Sequence, residues 1–222
     1  MSEVKGRVKR DHKGFLAAPA VLVWLAAFQA PCAHADEAPP PPSEESRGKS
    51  VAKFVAGGIV GFAAHEAGHV GFDLAFDARP GVKGIRYAGI PFFAITHRHN
   101  LPPRQEFAIS SAGFWMQHAS SEWLLSRHPR LHWEHAPWDK GGFAFDVLTS
   151  AMYAGAALTR SGPYERDTRG MAASLGVDEH WIGAMVLAPA ALDTYRYYHP
   201  SAGWAKWTSR AVKVGLVLLV LK

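Results

Sequence analysis

Five long apolar segments dominate the chain from residue 51 onward and constrain its fold more than any other feature. Stretches rich in Arg, His, Pro and Gly separate them. They are Val51–Phe76, Phe107–Leu125, Phe143–Thr159, Trp181–Tyr198 and Trp207–Leu221. Apolar runs of this length predict helices, and several are long enough to cross a bilayer. We therefore expect an all-α, multi-helix membrane protein.

A short stretch after the first segment has a different character. Residues 84–96, GIRYAGIPFFAIT, mix aromatic and β-branched side chains with Gly and Pro, which predicts a short hairpin or edge strand. The apolar segments also contain His65, Glu66 and Asp193, which are costly inside a bilayer. A soluble helical bundle and a partly inserted protein thus remain alternatives.

The amino-terminal residues are typical of an export signal. Five basic residues precede the apolar stretch Phe15–Ala27, and small residues at 33–35 supply a cleavage site. We expect residues 1–35 to be a signal peptide or an uncleaved anchor, and residues 36–50 to be an acidic, Pro-rich linker. We expect residues 51–222 to form the functional domain and to lie in the bacterial inner membrane.

Charge and cysteine content exclude several classes of function. Of the net charge of +5, residues 1–35 carry +3, and the remaining +2 gives no case for a nucleic-acid partner. The one cysteine, Cys32, cannot build a Cys-ligated zinc finger or an iron–sulfur centre. Any metal must therefore be bound by His and carboxylate side chains.

An H-E-x-x-H motif lies in the first apolar segment, at His65-Glu66-Ala67-Gly68-His69. Residues four apart lie one above the other on a helix, so His65 and His69 can bind one Zn²⁺ ion. Glu66 lies beside them and is the candidate acid/base of a hydrolase. Gly57, Gly61 and Gly68 form part of a small-residue stripe that predicts close approach of another helix.

A catalytic zinc needs a third protein ligand, which we sought in the other apolar segments. Asp193 follows Pro189 on a helical segment. Glu122 lies at the distance from His69 along the chain that is typical of zinc hydrolases in which a second helix supplies a Glu ligand. His118 is a further possibility. The residues alone leave these alternatives open.

The order of motifs resembles the site-2 protease-like intramembrane zinc metalloproteases. His65-Glu66-Ala67-Gly68-His69 is similar to the family's H-E-x-G-H, Leu192-Asp193 to its L-D-G, and Ile109–Phe114 to its A-G-P segment. The resemblance implies zinc ligation by His65, His69 and Asp193, catalysis by Glu66, and peptide-bond hydrolysis in a membrane-associated substrate. Thr194 and Met185 stand where the family usually has Gly and, nearby, Asn, so a zinc-binding but inactive member is also considered.

Two other functions compete with the protease. Five further histidines, with His65 and His69, could serve as the histidine boxes of a membrane di-iron hydroxylase or desaturase; they are His97, His99, His128, His132 and His135. The third hypothesis is a non-catalytic helical membrane scaffold in which His65, His69 and Glu66 only pair helices. Metal content separates the three.

Overall fold

The computed structural model describes residues 45–87, 90–97 and 100–221, which form six helices and a β-hairpin. The helices are α1 Arg47–Ala75, α2 Pro103–Arg127, α3 Pro137–Thr159, α4 Asp167–Leu175, α5 Glu179–Tyr198 and α6 Gly203–Leu221. The strands are β1 Gly81–Tyr87 and β2 Ile90–Thr96. The expected signal peptide lies outside the described residues. The expected linker lies largely outside them, but its last residues, from Arg47, are helical.

The mostly helical fold confirms the prediction from the apolar segments, each of which corresponds to a helix. The hairpin is also confirmed: β1 and β2 pair antiparallel, with Gly81 opposite Thr96 and Gly84 opposite Phe93. The short helix α4 was not predicted, because it lies in the polar stretch between two apolar segments. No helix among the described residues is long and apolar enough to cross a membrane, so the spans expected of these segments are not found.

Glycines bring α1 into close contact with two neighbouring helices. A Cβ atom at Gly57 would lie 2.1 Å from the Trp138 carbonyl oxygen of α3, and one at Gly68 would lie 2.8 Å from the Ala112 carbonyl oxygen of α2. Any larger residue would push the backbones apart. The small-residue stripe thus packs as predicted, and it holds the H-E-x-x-H turn between α2 and α3.

Two apolar clusters form the core of the described residues. One cluster joins α2, α4 and α5 through Phe107, Phe114, Met171, Ile182 and Val186. It fixes α4 against α2, and so places the first residue of α4, Asp167, near α1.

Candidate metal centre

His65 and His69 meet on the buried face of α1. Their side chains are almost fully buried, and their Nε2 atoms lie 3.2 Å apart. The helical spacing of four residues produces this pairing, as the motif predicts. The Nε2 atoms of the two histidines therefore face the same point.

Asp167 completes the group from the start of α4. Its Oδ2 atom lies 3.3 Å from His65 Nε2 and 3.5 Å from His69 Nε2. The neighbouring residues fix this helix end, because Arg166 and Thr168 both donate hydrogen bonds to the Glu179 carboxylate. Among the described residues, His65, His69 and Asp167 are the one group whose ligand atoms lie close enough together to bind a metal ion.

The triangle formed by these three atoms has the dimensions of a zinc site. Ligands at about 2.05 Å from a tetrahedral Zn²⁺ ion are separated by about 3.3 Å. The observed sides are 3.2, 3.3 and 3.5 Å. Two His nitrogens and one carboxylate oxygen are also a ligand set typical of catalytic zinc. The residues therefore fit the metal that the motif predicts.

The two histidines are oriented by different means. His69 Nδ1 donates to the Ile109 carbonyl oxygen over 2.8 Å, which in the neutral ring leaves Nε2 free as a ligand. His65 Nδ1 is buried without a hydrogen-bond partner. Its ring is instead enclosed by aromatic side chains and by Gly113, at which a Cβ atom would lie 2.3 Å from His65 Cε1.

The charges at the site are strongly coupled. Burial acts to raise the pKa of Asp167, but His69 and His65 hold it well below its ordinary value. Burial acts to lower the pKa of His69, but Asp167 and the Ile109 carbonyl raise it to about 9. Asp167 is thus an anion, the form in which a carboxylate binds metal.

Glu66 lies next to this group on α1 without belonging to it. Burial raises the pKa of Glu66, and the Asp167 charge adds to that effect, whereas His65 and His69 oppose it. A raised pKa brings the carboxylate closer to the pH range in which it can both accept and return a proton. The position and the electrostatics suit the role that the motif predicts for Glu66.

Asp193, the third ligand expected from the family resemblance, does not join the two histidines. Its carboxylate accepts hydrogen bonds from Ser121 and Ser209 and forms ion pairs with Lys213 at 2.6 Å and Arg196 at 3.0 Å. These donors occupy both carboxylate oxygens. The structure therefore brings Asp167, and not Asp193, close to the two histidines.

Glu122 and His118 are also directed elsewhere. Glu122 forms ion pairs with Arg196 at 2.6 Å, Arg210 at 2.8 Å and Lys213 at 3.2 Å. We refer to Glu122, Asp193, Arg196, Arg210 and Lys213 as the buried ion cluster. Burial, aided by Lys213, lowers the pKa of the fully enclosed His118 to about 3. Neither side chain belongs to the His65–His69–Asp167 group.

The remaining histidines do not extend the site within the described residues. His97 contacts Asp73 and Glu106, His128 contacts Glu134, and His132 packs against tyrosine rings. His99 lies outside the described residues. The histidine boxes therefore form no second group of three ligands in residues 45–87, 90–97 and 100–221.

The sequence reasoning missed Asp167 because the search was confined to the apolar segments. A local signal existed: an acidic residue followed by Thr168 and the apolar pair Met171-Ala172 is typical of a helix start. That signal predicts where a helix begins, but not which helix lies next to it. The comparison with known proteins adds no assignment, since neither the protein-family models nor the curated proteins nor the solved structures gave a match.

Proposed function

We propose that this protein is a zinc-dependent peptidase. The observation that carries the proposal is the triangle of His65 Nε2, His69 Nε2 and Asp167 Oδ2, with Glu66 beside it. When bound there, zinc supplies a Lewis acid that acidifies water and polarises a carbonyl group. Peptide-bond hydrolysis is the reaction in which H-E-x-x-H residues use that chemistry.

Glu66 carries the proton transfer in this proposal. Its carboxylate accepts a proton from the attacking water and then delivers it to the departing amine. His65, His69 and Asp167 bind the metal and take no part in the proton transfer. Burial raises the pKa of Glu66, which suits a carboxylate that accepts a proton and then returns it.

We further propose that the substrate is membrane-associated and that the lipid bilayer is a partner. On α1, Val51, Val55 and Ile59 recur every four residues and are each more than half exposed. An exposed apolar stripe of this kind favours contact with lipid. Flotation of the purified full chain with lipid vesicles tests this, and a chain that stays at the bottom of the gradient would contradict it.

The competing functions make different demands on the same residues. A di-iron enzyme needs more ligands than the single group of three found among the described residues. A scaffold needs no metal, since Asp167 alone could pair with protonated His69. A zinc-binding but inactive protein would keep the metal and fail to cleave peptides.

The test is hydrolysis of a quenched fluorescent peptide library by the zinc-loaded full chain and by two variants. We expect Glu66→Gln to keep its zinc and lose at least about 100-fold in rate, the effect of losing a general acid/base. Glu134→Gln is the matched control, because that carboxylate pairs with His128 in the loop between α2 and α3. Equal rates for Glu66→Gln and the unmodified chain would refute the proposed mechanism.

A further inference from the structure

Tyr153 of α3 contacts two of the three candidate metal ligands. Its side chain interacts with the Asp167 carboxylate. Its ring also stacks on the His65 imidazole, with ring centroids 6.1 Å apart and planes inclined by 29°. No sequence motif singles out this tyrosine, and only the packing of α3 against α1 and α4 reveals its position.

The contact with Asp167 has a definite chemical direction. A phenol has a proton to donate, whereas an ionised carboxylate can only accept one. It therefore donates to the carboxylate. A carboxylate that binds a metal through one oxygen is commonly held in place by such a donor.

The contact with His65 orients a ring whose second nitrogen, Nδ1, makes no hydrogen bond. Metal-binding histidines usually donate their second ring nitrogen to an acceptor, as His69 does to Ile109. His65 Nδ1 has no partner. Its ring stacks on Tyr153 and lies perpendicular to the Phe114 ring, which is itself perpendicular to Tyr153 at 5.1 Å. Rotation of the His65 ring would displace at least one of these side chains.

We infer that Tyr153 is a positioning residue of the metal centre, which it holds in shape by fixing Asp167 through its hydroxyl and His65 through its ring. This inference rests on the proposed zinc site. It predicts that the hydroxyl and the ring contribute separately to metal affinity. Removing a side chain that orients a metal ligand costs about 10–100-fold in affinity.

The experiment measures Zn²⁺ affinity by competition with a chromophoric chelator, in the full chain and in Tyr153→Phe and Tyr153→Leu. We expect about a 10-fold loss for Tyr153→Phe, which lacks only the hydroxyl, and a larger loss for Tyr153→Leu. Tyr164→Phe is the matched control, because Tyr164 lies three residues before Asp167 but is 70% exposed. Its affinity should equal that of the unmodified chain.

A spectroscopic measurement separates positioning from general stability. The visible absorption of bound Co²⁺ reports ligand geometry, and we expect its shape to change in Tyr153→Phe but not in Tyr164→Phe. Unchanged affinity and an unchanged spectrum in Tyr153→Phe would overturn the inference while leaving the zinc site intact. So would a lower melting temperature of the metal-free variant combined with an unchanged spectrum. Failure of the unmodified chain to bind zinc would instead refute the proposed function itself.

Discussion

The candidate metal centre and the buried ion cluster both place carboxylates inside a helical core, and they differ in what faces those carboxylates. Asp167 is held charged mainly by His69 and His65, whose nitrogens can also bind a metal. Asp193 is held charged by Lys213 and Arg196, which cannot. A buried acid therefore becomes a candidate ligand where its neighbours have lone pairs to share, and a structural counter-ion where they have only protons to donate.

The largest effect is expected from removing a cation of the buried ion cluster. Lys213 is fully buried, so Lys213→Met leaves Asp193 and Glu122 short of positive charge and should lower the free energy of unfolding by about 3–5 kcal/mol. Urea denaturation measures this. Lys53→Met, at an exposed ion pair with Glu45, is the control and should change little. A small change in the free energy of unfolding of Lys213→Met would mean that buried cations do not distinguish the buried ion cluster from the candidate metal centre.

Acid should weaken the buried ion cluster. Burial acts to raise the pKa of Glu122, but Lys213 and Arg196 lower it to about 2, from an ordinary 4.5. Its stabilising contribution is therefore complete above pH 4.5 and lost as the pH falls towards 2, which amounts to about 3 kcal/mol. His118, with its pKa lowered to about 3, acts in the same direction because the unfolded chain takes up that proton near pH 6.5.

The measurement compares the free energy of unfolding of the unmodified chain with that of Glu122→Gln between pH 7 and pH 2. The difference between the two should be largest at neutral pH and should shrink below pH 4.5. A difference that does not depend on pH would show that Glu122 is not ionised in the folded chain.

A smaller effect is expected where α2 touches the candidate metal centre. The Cβ atom of Gly113→Ala would overlap the His65 ring, whereas that of Gly71→Ala meets nothing within 4 Å. We expect Gly113→Ala to cost about 1–3 kcal/mol and to weaken zinc binding. Gly71→Ala should be neutral or should stabilise α1 by up to about 1 kcal/mol. Thermal melts and zinc titration check both, and equal behaviour of the two variants would contradict the described His65 position.

The smallest effect is expected at an exposed ion pair close to the candidate metal centre. Lys83 of β1 pairs with Glu165, two residues before Asp167, at 2.5 Å, but the lysine side chain is 60% exposed. Lys83→Ala should lower the free energy of unfolding by less than about 1 kcal/mol. A strong loss of zinc in this variant would show that the hairpin, and not α2 and α5, holds the Asp167 segment.

The parts that could be predicted from the sequence are those set by local spacing. Apolar runs predicted five of the helices, and the four-residue spacing of His65 and His69 placed both on one face of α1. The position of Asp167 beside the two histidines depends on how α4 packs near α1, which local periodicity does not encode. The surroundings of Asp193 could not be predicted either, because its partner Lys213 lies on α6 and the sequence does not show that this lysine points inward.

The central claim is that Asp167, and not Asp193, completes a zinc site with His65 and His69. It is tested most directly by the zinc content of the purified full chain, of Asp167→Asn and of Asp193→Asn, with helix content measured on the same samples. We predict one zinc per folded chain in the unmodified protein and in Asp193→Asn, and none in Asp167→Asn. Zinc retained by Asp167→Asn and lost from a still helical Asp193→Asn would contradict the assignment.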